Sequence, residues 1–470
     1  MRRAGTLPGS ACSLAEAQKT CSRESNACIF PGMKIDTLLY ARWILPIEPQ
    51  GVLLENHAIA IDNGRIEAIL PAEEAAQRYS ADTIRHLDQH ILLPGLINLH
   101  GHAAMTLMRG LADDLPLMEW LQQHIWPAEQ QWIGKEFVHD GSLLACAEML
   151  RGGTTCFNDM YFFPEETVRA VEQAGMRACV GLIMIDFPTP WAQNPDEYLS
   201  KGIALHDQLR GNSLITTAFA PHAPYTVSDE TLQRIRTYAE ELDIPIHMHV
   251  HETAHEVAES QDRDGKRPLQ RLDELGLLNP HLLAVHMTQV NPDEIPRLAE
   301  AGVHVVHCPE SNLKLASGFC PVHQLQQAGI NLCLGTDGAA SNNDLDMFSE
   351  MHSAALLAKA VAGDASALPA EAVLRMATLN GARALGLEQE IGSLEVGKSA
   401  DLIAVDLGAL ETQPIYHPVS QLVYAAGREQ VTDVWVAGRQ LLNQRELTTL
   451  DPNAVLERAA EWQQRLAPLD

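Results

Sequence analysis

The stretch ILLPGLINLHGH, residues 91–102, decides the fold. A run of large apolar residues, the composition of a strand buried on both faces, ends in two histidines two positions apart. Seven further stretches repeat the theme: TTCFNDMY (154–161), RACVGLIMID (177–186), ITTAFAPHAP (215–224), IPIHMHVHET (244–253), LLAVHMTQ (282–289), VHVVHCPESN (303–312) and INLCLGTDG (330–338). Each is a short β-branched or apolar run that closes on polar residues able to do chemistry. Amphipathic segments such as SDETLQRIRTYAEELD (228–243) and NPDEIPRLAEAG (291–302) lie between them, and Ser228 is a good residue to start the first of these helices. Eight strands alternating with helices predict an α/β fold, a closed (β/α)8 barrel of the TIM type over residues 91–390. An open doubly wound sheet fits less well. It would want a glycine-rich phosphate turn after its first strand, where this chain has histidines.

Outward from the barrel, residues 33–90 and 391–445 read as β-rich, and Asn63-Gly64 is a hairpin turn between alternating strands. Neither stretch buries much alone, so the two ends of the chain are expected to pair into one small β-sandwich. Residues 446–470 carry a terminal helix in DPNAVLERAAEWQQRLAPL. The first 32 residues hold three of the nine cysteines and show no periodicity. No apolar segment follows the two leading arginines, so the stretch does not read as a signal peptide and is expected to be a disordered extension. The formal net charge of −28 argues against phosphate backbones and anionic lipid as partners. No apolar run reaches the length of a membrane span. Cys146, Cys156, Cys179, Cys308, Cys320 and Cys333 lie scattered in apolar stretches with no CxxC pair, as expected of small core residues in a reducing cytoplasm.

On a strand, residues two apart point the same way, so His100 and His102 face the barrel interior at its C-terminal mouth, where active sites of this fold lie. The fifth strand presents His247, His249 and His251 on one face, and alternation alone does not say which of them binds. Glu252 follows at once, His286 ends the sixth strand and Asp337 the eighth. Imidazoles and a carboxylate converging from separate strands suit zinc, with iron or manganese as substitutes. A divalent ion lowers the pKa of bound water from 15.7 to about 7. A neighbouring carboxylate can hold and move its proton. By default Glu129 reads as a solvated helix acid, His222 as a loop cap, and Trp120, Trp126 and Trp132 as core.

These motifs resemble the amidohydrolase superfamily: HxH after the first strand, HVHE on the fifth, AVHM on the sixth and GTDG on the eighth. NGARALGLEQEIGSLEVGKSADLIAVD (380–406) is similar to the small-domain signature of its cytosine deaminase and chlorohydrolase-like branch. The fourth strand lacks the lysine that bridges two ions in binuclear branches, which implies one ion per subunit. WPAEQQW (126–132), PHAPYTVS (221–228) and HCPESNLKLASG (307–318) extend the likeness to the 5′-methylthioadenosine/S-adenosylhomocysteine deaminases. That resemblance implies His100, His102, His249 and Asp337 as metal ligands and His286 as a proton-handling neighbour. It implies Glu252 on the purine, Glu129 on the ribose hydroxyls and His222 near the ring or sugar. The activity it implies is hydrolytic deamination of the adenine ring of a small nucleoside, methylthioadenosine before S-adenosylhomocysteine or adenosine, by a metal-activated hydroxide. Some relatives carry an arginine after the third strand to meet the S-adenosylhomocysteine carboxylate; IDFPTPWAQNPDEYL (185–199) has none. The rival readings are a deaminase or chlorohydrolase of another purine, a pterin or a triazine on the same scaffold, and a silent scaffold relative, which would have lost metal ligands. Homo-oligomers are common for such barrels.

Overall fold

The computed structural model describes residues 32–467. The extension expected over residues 1–32, with Cys12, Cys21 and Cys28, falls outside the described residues except for Gly32. Eight parallel strands run in chain order: Leu96–Gly101, Thr154–Asp159, Arg177–Met184, Ile215–Pro221, Ile246–Val250, Leu282–His286, His304–His307 and Asn331–Leu334. The eighth closes on the first. Asp337 N–H donates to His100 O at 3.0 Å, and Thr336 N–H to Asn98 Oδ1 at 3.0 Å. Closure needs a glycine at 335, since a Cβ there would lie 2.7 Å from the His100 nitrogen.

The first strand begins later than its apolar run suggests. Ile91–Pro94 belong instead to a long strand, Tyr79–Pro94, and pair antiparallel with Leu402–Val405 of the chain's other end. Pro94 has no N–H to extend a ladder, and at Gly95 the chain passes from one sheet to the other.

Apolar side chains fill the barrel on both sides of its wall. Ile97, Leu99, Cys156, Cys179, Val285 and Cys333 pack inside, above the helix Leu379–Ala384 that plugs the base. Outside, helices such as Asp229–Leu242 lie on the strands. Ser228 Oγ caps that helix by accepting the Thr231 N–H, and its buried stripe of Thr231, Leu232, Ile235 and Ala239 follows the helical repeat. All six cysteines of the described residues are buried and unpaired, and burial pushes the Cys156, Cys179 and Cys333 thiols up, as inert core groups.

Both chain ends share one eight-stranded sheet, ordered Glu446–Leu447, Arg439–Asn443, Val431–Val436, Leu402–Asp406, Tyr79–Pro94, Met33–Ile44, Leu54–Asp62, Arg65–Pro71. The turn at Asn63 and Gly64, φ 50° and 77°, is the expected hairpin. The sheet curls over itself. Ile66 N–H donates to Lys398 O and Ala400 N–H to Gly64 O, across the three strands that separate these segments in the ladder, and Leu39, Ile59 and Ile61 meet Leu402 and Trp435 in between. The sandwich is thus a single folded sheet. A buried ion pair ties it to the barrel base: Arg177, opening the third barrel strand, meets Asp401 at 2.9 Å. The terminal helix spans Pro452–Leu466.

Candidate active site and metal centre

At the C-terminal mouth, side chains from four strands aim at one point. Asp337 Oδ1 lies 3.3 Å from His100 Nε2 and 3.2 Å from His102 Nε2, and His249 Nε2 lies 3.2 Å from His100 Nε2. Each ring is oriented through its other nitrogen. His102 Nδ1 donates to Met160 O at 2.6 Å, His249 Nδ1 to His222 O at 2.8 Å, and His100 Nδ1 sits 2.8 Å from His247 Nε2. With hydrogen on Nδ1, three Nε2 lone pairs and a carboxylate oxygen share a small space. Lone pairs at that distance repel unless a cation lies between them, so this donor set fits a divalent ion. His286 also comes within reach of His100 and His249.

The three histidines of the fifth strand separate cleanly. His249 faces the mouth. His247 sits beneath His100. His251, past the strand's end at φ 53°, turns away and accepts the Leu269 N–H on Nε2. Alternation could not distinguish them because only depth in the barrel does. Asp337 and His286 are also left-handed, with φ 65° and 73°. Such backbone costs about 1–3 kcal/mol for a non-glycine residue and clusters at functional sites.

Burial dominates the electrostatics. It holds His100 down at about 4 and His222 at about 3, and carries His249 well below the usual imidazole range. For His102 burial works the same way, but the bond to Asp337 outweighs it and favours positive charge at Nε2, the place a metal cation would take. Burial also opposes ionisation of Asp337, yet His100 and His102 keep its carboxyl well below the normal range. Glu252 is pushed up by burial, and its Oε2 lies 3.9 Å from His286 Nε2.

Over this centre opens a cavity of about 410 Å³, lined by His102, His222, His249, Glu252, His286 and Asp337 at its floor. Glu129 enters from the helix Trp126–Trp132, where Tyr161 Oη donates to its Oε1 at 2.8 Å and burial lifts its carboxyl to about 7. The default surface reading of Glu129 therefore gives way. His222 sits in its loop, where Nδ1 contacts Thr226 Oγ1 at 3.1 Å, and it lines the cavity. Trp120 packs while also lining the cavity, but Trp126 is 37% exposed and forms its wall, against the core expectation. Tyr161, Phe162, Phe187 and Tyr225 complete the aromatic lining, and among the described residues no lysine or arginine lines it. Sequence reasoning missed Tyr161, although it stands two residues beyond the second strand.

A profile of the amidohydrolase family matches residues 91–441. A 5-methylthioadenosine/S-adenosylhomocysteine deaminase of Teredinibacter turnerae is 54% identical over 432 residues, 92% of this chain and 98% of that protein. The crystal structure of an adenosine deaminase from Xanthomonas campestris with bound zinc superposes with a TM-score of 0.92 at 58% identity, over 93% of this chain and 99% of that one. An atrazine chlorohydrolase from Arthrobacter aurescens, complexed with zinc, shares the fold at TM-score 0.85, covering 91% and 99% of the two chains, at 22% identity.

Proposed function

The chain belongs to the amidohydrolase family, and from that premise we propose that it hydrolyses the exocyclic amine of 5′-methylthioadenosine, giving methylthioinosine and ammonia. The observation that carries this reading is the pairing of a raised, buried acid, Glu252, with the four-donor cluster at one end of the cavity, and of Glu129 at the sugar end. A single divalent ion, zinc by its nitrogen and oxygen donors, would be held by His100, His102, His249 and Asp337 and would supply the Lewis acid that makes water nucleophilic at neutral pH. Glu252 gives its proton to ring nitrogen 1, so charge does not build up there as water oxygen bonds carbon 6. Asp337 takes one water proton and, with His286 beside it, passes it to the departing amine; the second leaves the oxygen on carbon 6 as the carbonyl forms and returns to Glu252. Glu129, held by Tyr161, accepts both ribose hydroxyls. His222 borders the ring.

The walls favour an apolar 5′ group. Aromatic and aliphatic side chains surround that end, and the charged lining residues Glu129, Glu252 and Asp337 are all acids. A carboxylate or phosphate tail meets no lysine or arginine among the described residues lining the cavity, so its charge goes unpaired there, which costs affinity. S-adenosylhomocysteine is thus the poorer substrate, and adenosine loses the thioether's contact. The test is loss of the adenine absorbance band, with ammonia release, on mixing zinc-loaded protein with methylthioadenosine, adenosine, S-adenosylhomocysteine, guanine and melamine. Turnover of methylthioadenosine above the others is expected. Release from guanine or melamine alone would overturn the reading.

A further inference from the structure

The seventh barrel strand, His304–His307, lines no part of the cavity. The short helix that follows it, Pro309–Lys314, nevertheless touches two site residues through adjacent side chains. Ser311 Oγ donates to Asp337 Oδ2 at 2.6 Å, and Asn312 Oδ1 accepts from His286 Nδ1 at 2.9 Å. Ser311 and Asn312 are both fully buried, at 0% and 1% exposure, so neither bond competes with water. Asp337 and His286 come from different strands, and both hold left-handed backbone that needs outside restraint.

The restraint is itself anchored. Glu310 accepts hydrogen bonds from Ser349 and Ser353 of the helix Met347–Ala362, the latter at 2.7 Å. From the same helix Glu350 accepts Asn342 Nδ2 at 2.6 Å, and that Nδ2 also donates to Thr336 O at 2.9 Å, next to Asp337. The helix after the seventh strand and the loop after the eighth are thus bolted to one support.

We infer that Ser311 and Asn312 are positioning residues that set the proton path between Asp337 and His286. Ser311 engages Oδ2 of Asp337, leaving Oδ1 for the imidazoles of the first strand. Asn312 takes the His286 Nδ1 hydrogen, which fixes the tautomer and points the Nε2 lone pair toward Glu252 and the cavity. Neither residue meets substrate, so their loss should slow turnover and leave nucleoside binding alone. This rests on the deaminase reading above.

The test is a kinetic comparison of zinc-loaded wild type, Ser311→Ala, Ser311→Thr, Asn312→Ala and Asn312→Asp, with metal content and Tm measured on the same samples. Removing a partner of this kind costs roughly 10–100-fold. The expected result is a loss of about that size in kcat for both alanine variants, with KM within about twofold and zinc content unchanged. Ser311→Thr restores kcat. Asn312→Asp, nearly isosteric, moves the pH profile of kcat. In the double alanine variant the losses fall short of multiplying, because both act on one path. Unchanged kcat in Ser311→Ala, or a loss fully recovered by added zinc, overturns the inference while leaving the deaminase reading intact. A wild type inert toward every adenine nucleoside sinks both.

Discussion

The barrel buries charge at both ends, and the two ends use it differently. At the base, Arg177 meets both oxygens of Asp401, at 2.9 and 3.2 Å, and donates again to Ser213 O at 2.8 Å. Asp401 also receives the Ser399 hydroxyl at 2.7 Å and the Ala437 N–H at 2.8 Å. Every charge there is answered by the protein itself. At the mouth, His100, His102, His249 and Asp337 turn their donor atoms toward each other, with His286 and Asp337 on left-handed backbone. One end spends its polar groups on holding two sheets together; the other leaves them for something the protein must bind. The lesson is that burial of charge does not by itself mark a site, whereas donors aimed at a shared point do.

If that contrast holds, substitutions at the two ends should separate turnover from stability. The largest expected effect is at the mouth. Glu252→Gln cannot give a proton to ring nitrogen 1, and general acid catalysis contributes about 10²–10⁴-fold. Turnover should fall by that factor, with zinc content and Tm unchanged, as read by steady-state kinetics and metal analysis. A Tm drop with activity per folded molecule intact would erase the distinction between the ends.

The base should behave in the opposite way. Asp401→Asn leaves the buried Arg177 guanidinium without its counter-charge, and breaking such a pair costs about 3–5 kcal/mol. Denaturant unfolding should show that loss, while kcat and KM of the remaining folded protein stay at wild-type values.

A smaller effect sharpens the picture within the mouth. Burial lifts the Glu129 carboxyl to about 7, so it is protonated below that pH and ionised above it. Only the carboxylate accepts from both ribose hydroxyls. KM for methylthioadenosine should therefore rise as pH falls through about 7, and that dependence should vanish in Glu129→Gln. The smallest change is Tyr161→Phe, which removes the 2.8 Å bond to Glu129. A hydrogen bond is worth about 0.5–1.5 kcal/mol, or roughly 2- to 12-fold in KM.

Much of this contrast can be read in the sequence, unevenly. The barrel strands declared themselves because they are short apolar runs ending in His or Asp, and strand ends are where a parallel barrel exposes side chains to its cavity. Tyr79–Pro94 did not, since its first three quarters, YSADTIRHLDQH, are mostly polar and mostly face solvent. Nor did the first barrel strand's start, because Ile91–Pro94 are as apolar as Leu96–Gly101 while pairing with the other sheet. His247, His249 and His251 share a period and differ in depth, which no period records. Ser311 and Asn312 stand in a conspicuous motif, but their meaning depends on residues about 26 positions away in each case. Glu129 was legible as a candidate only through resemblance, and Trp126 on the cavity wall was not legible at all, because a helix crossing a barrel mouth looks in sequence like any amphipathic helix.

The account depends on one divalent ion held between strands at the mouth. The most direct measurement strips the protein with a chelator and titrates zinc back, following bound metal, ammonia release from methylthioadenosine and the fold together. Activity should vanish on stripping with secondary structure retained, and return in step with binding to a plateau at one ion per chain. Asp337→Ala should abolish both. Full turnover in the stripped protein, or zinc binding that Asp337→Ala leaves untouched, would contradict the account.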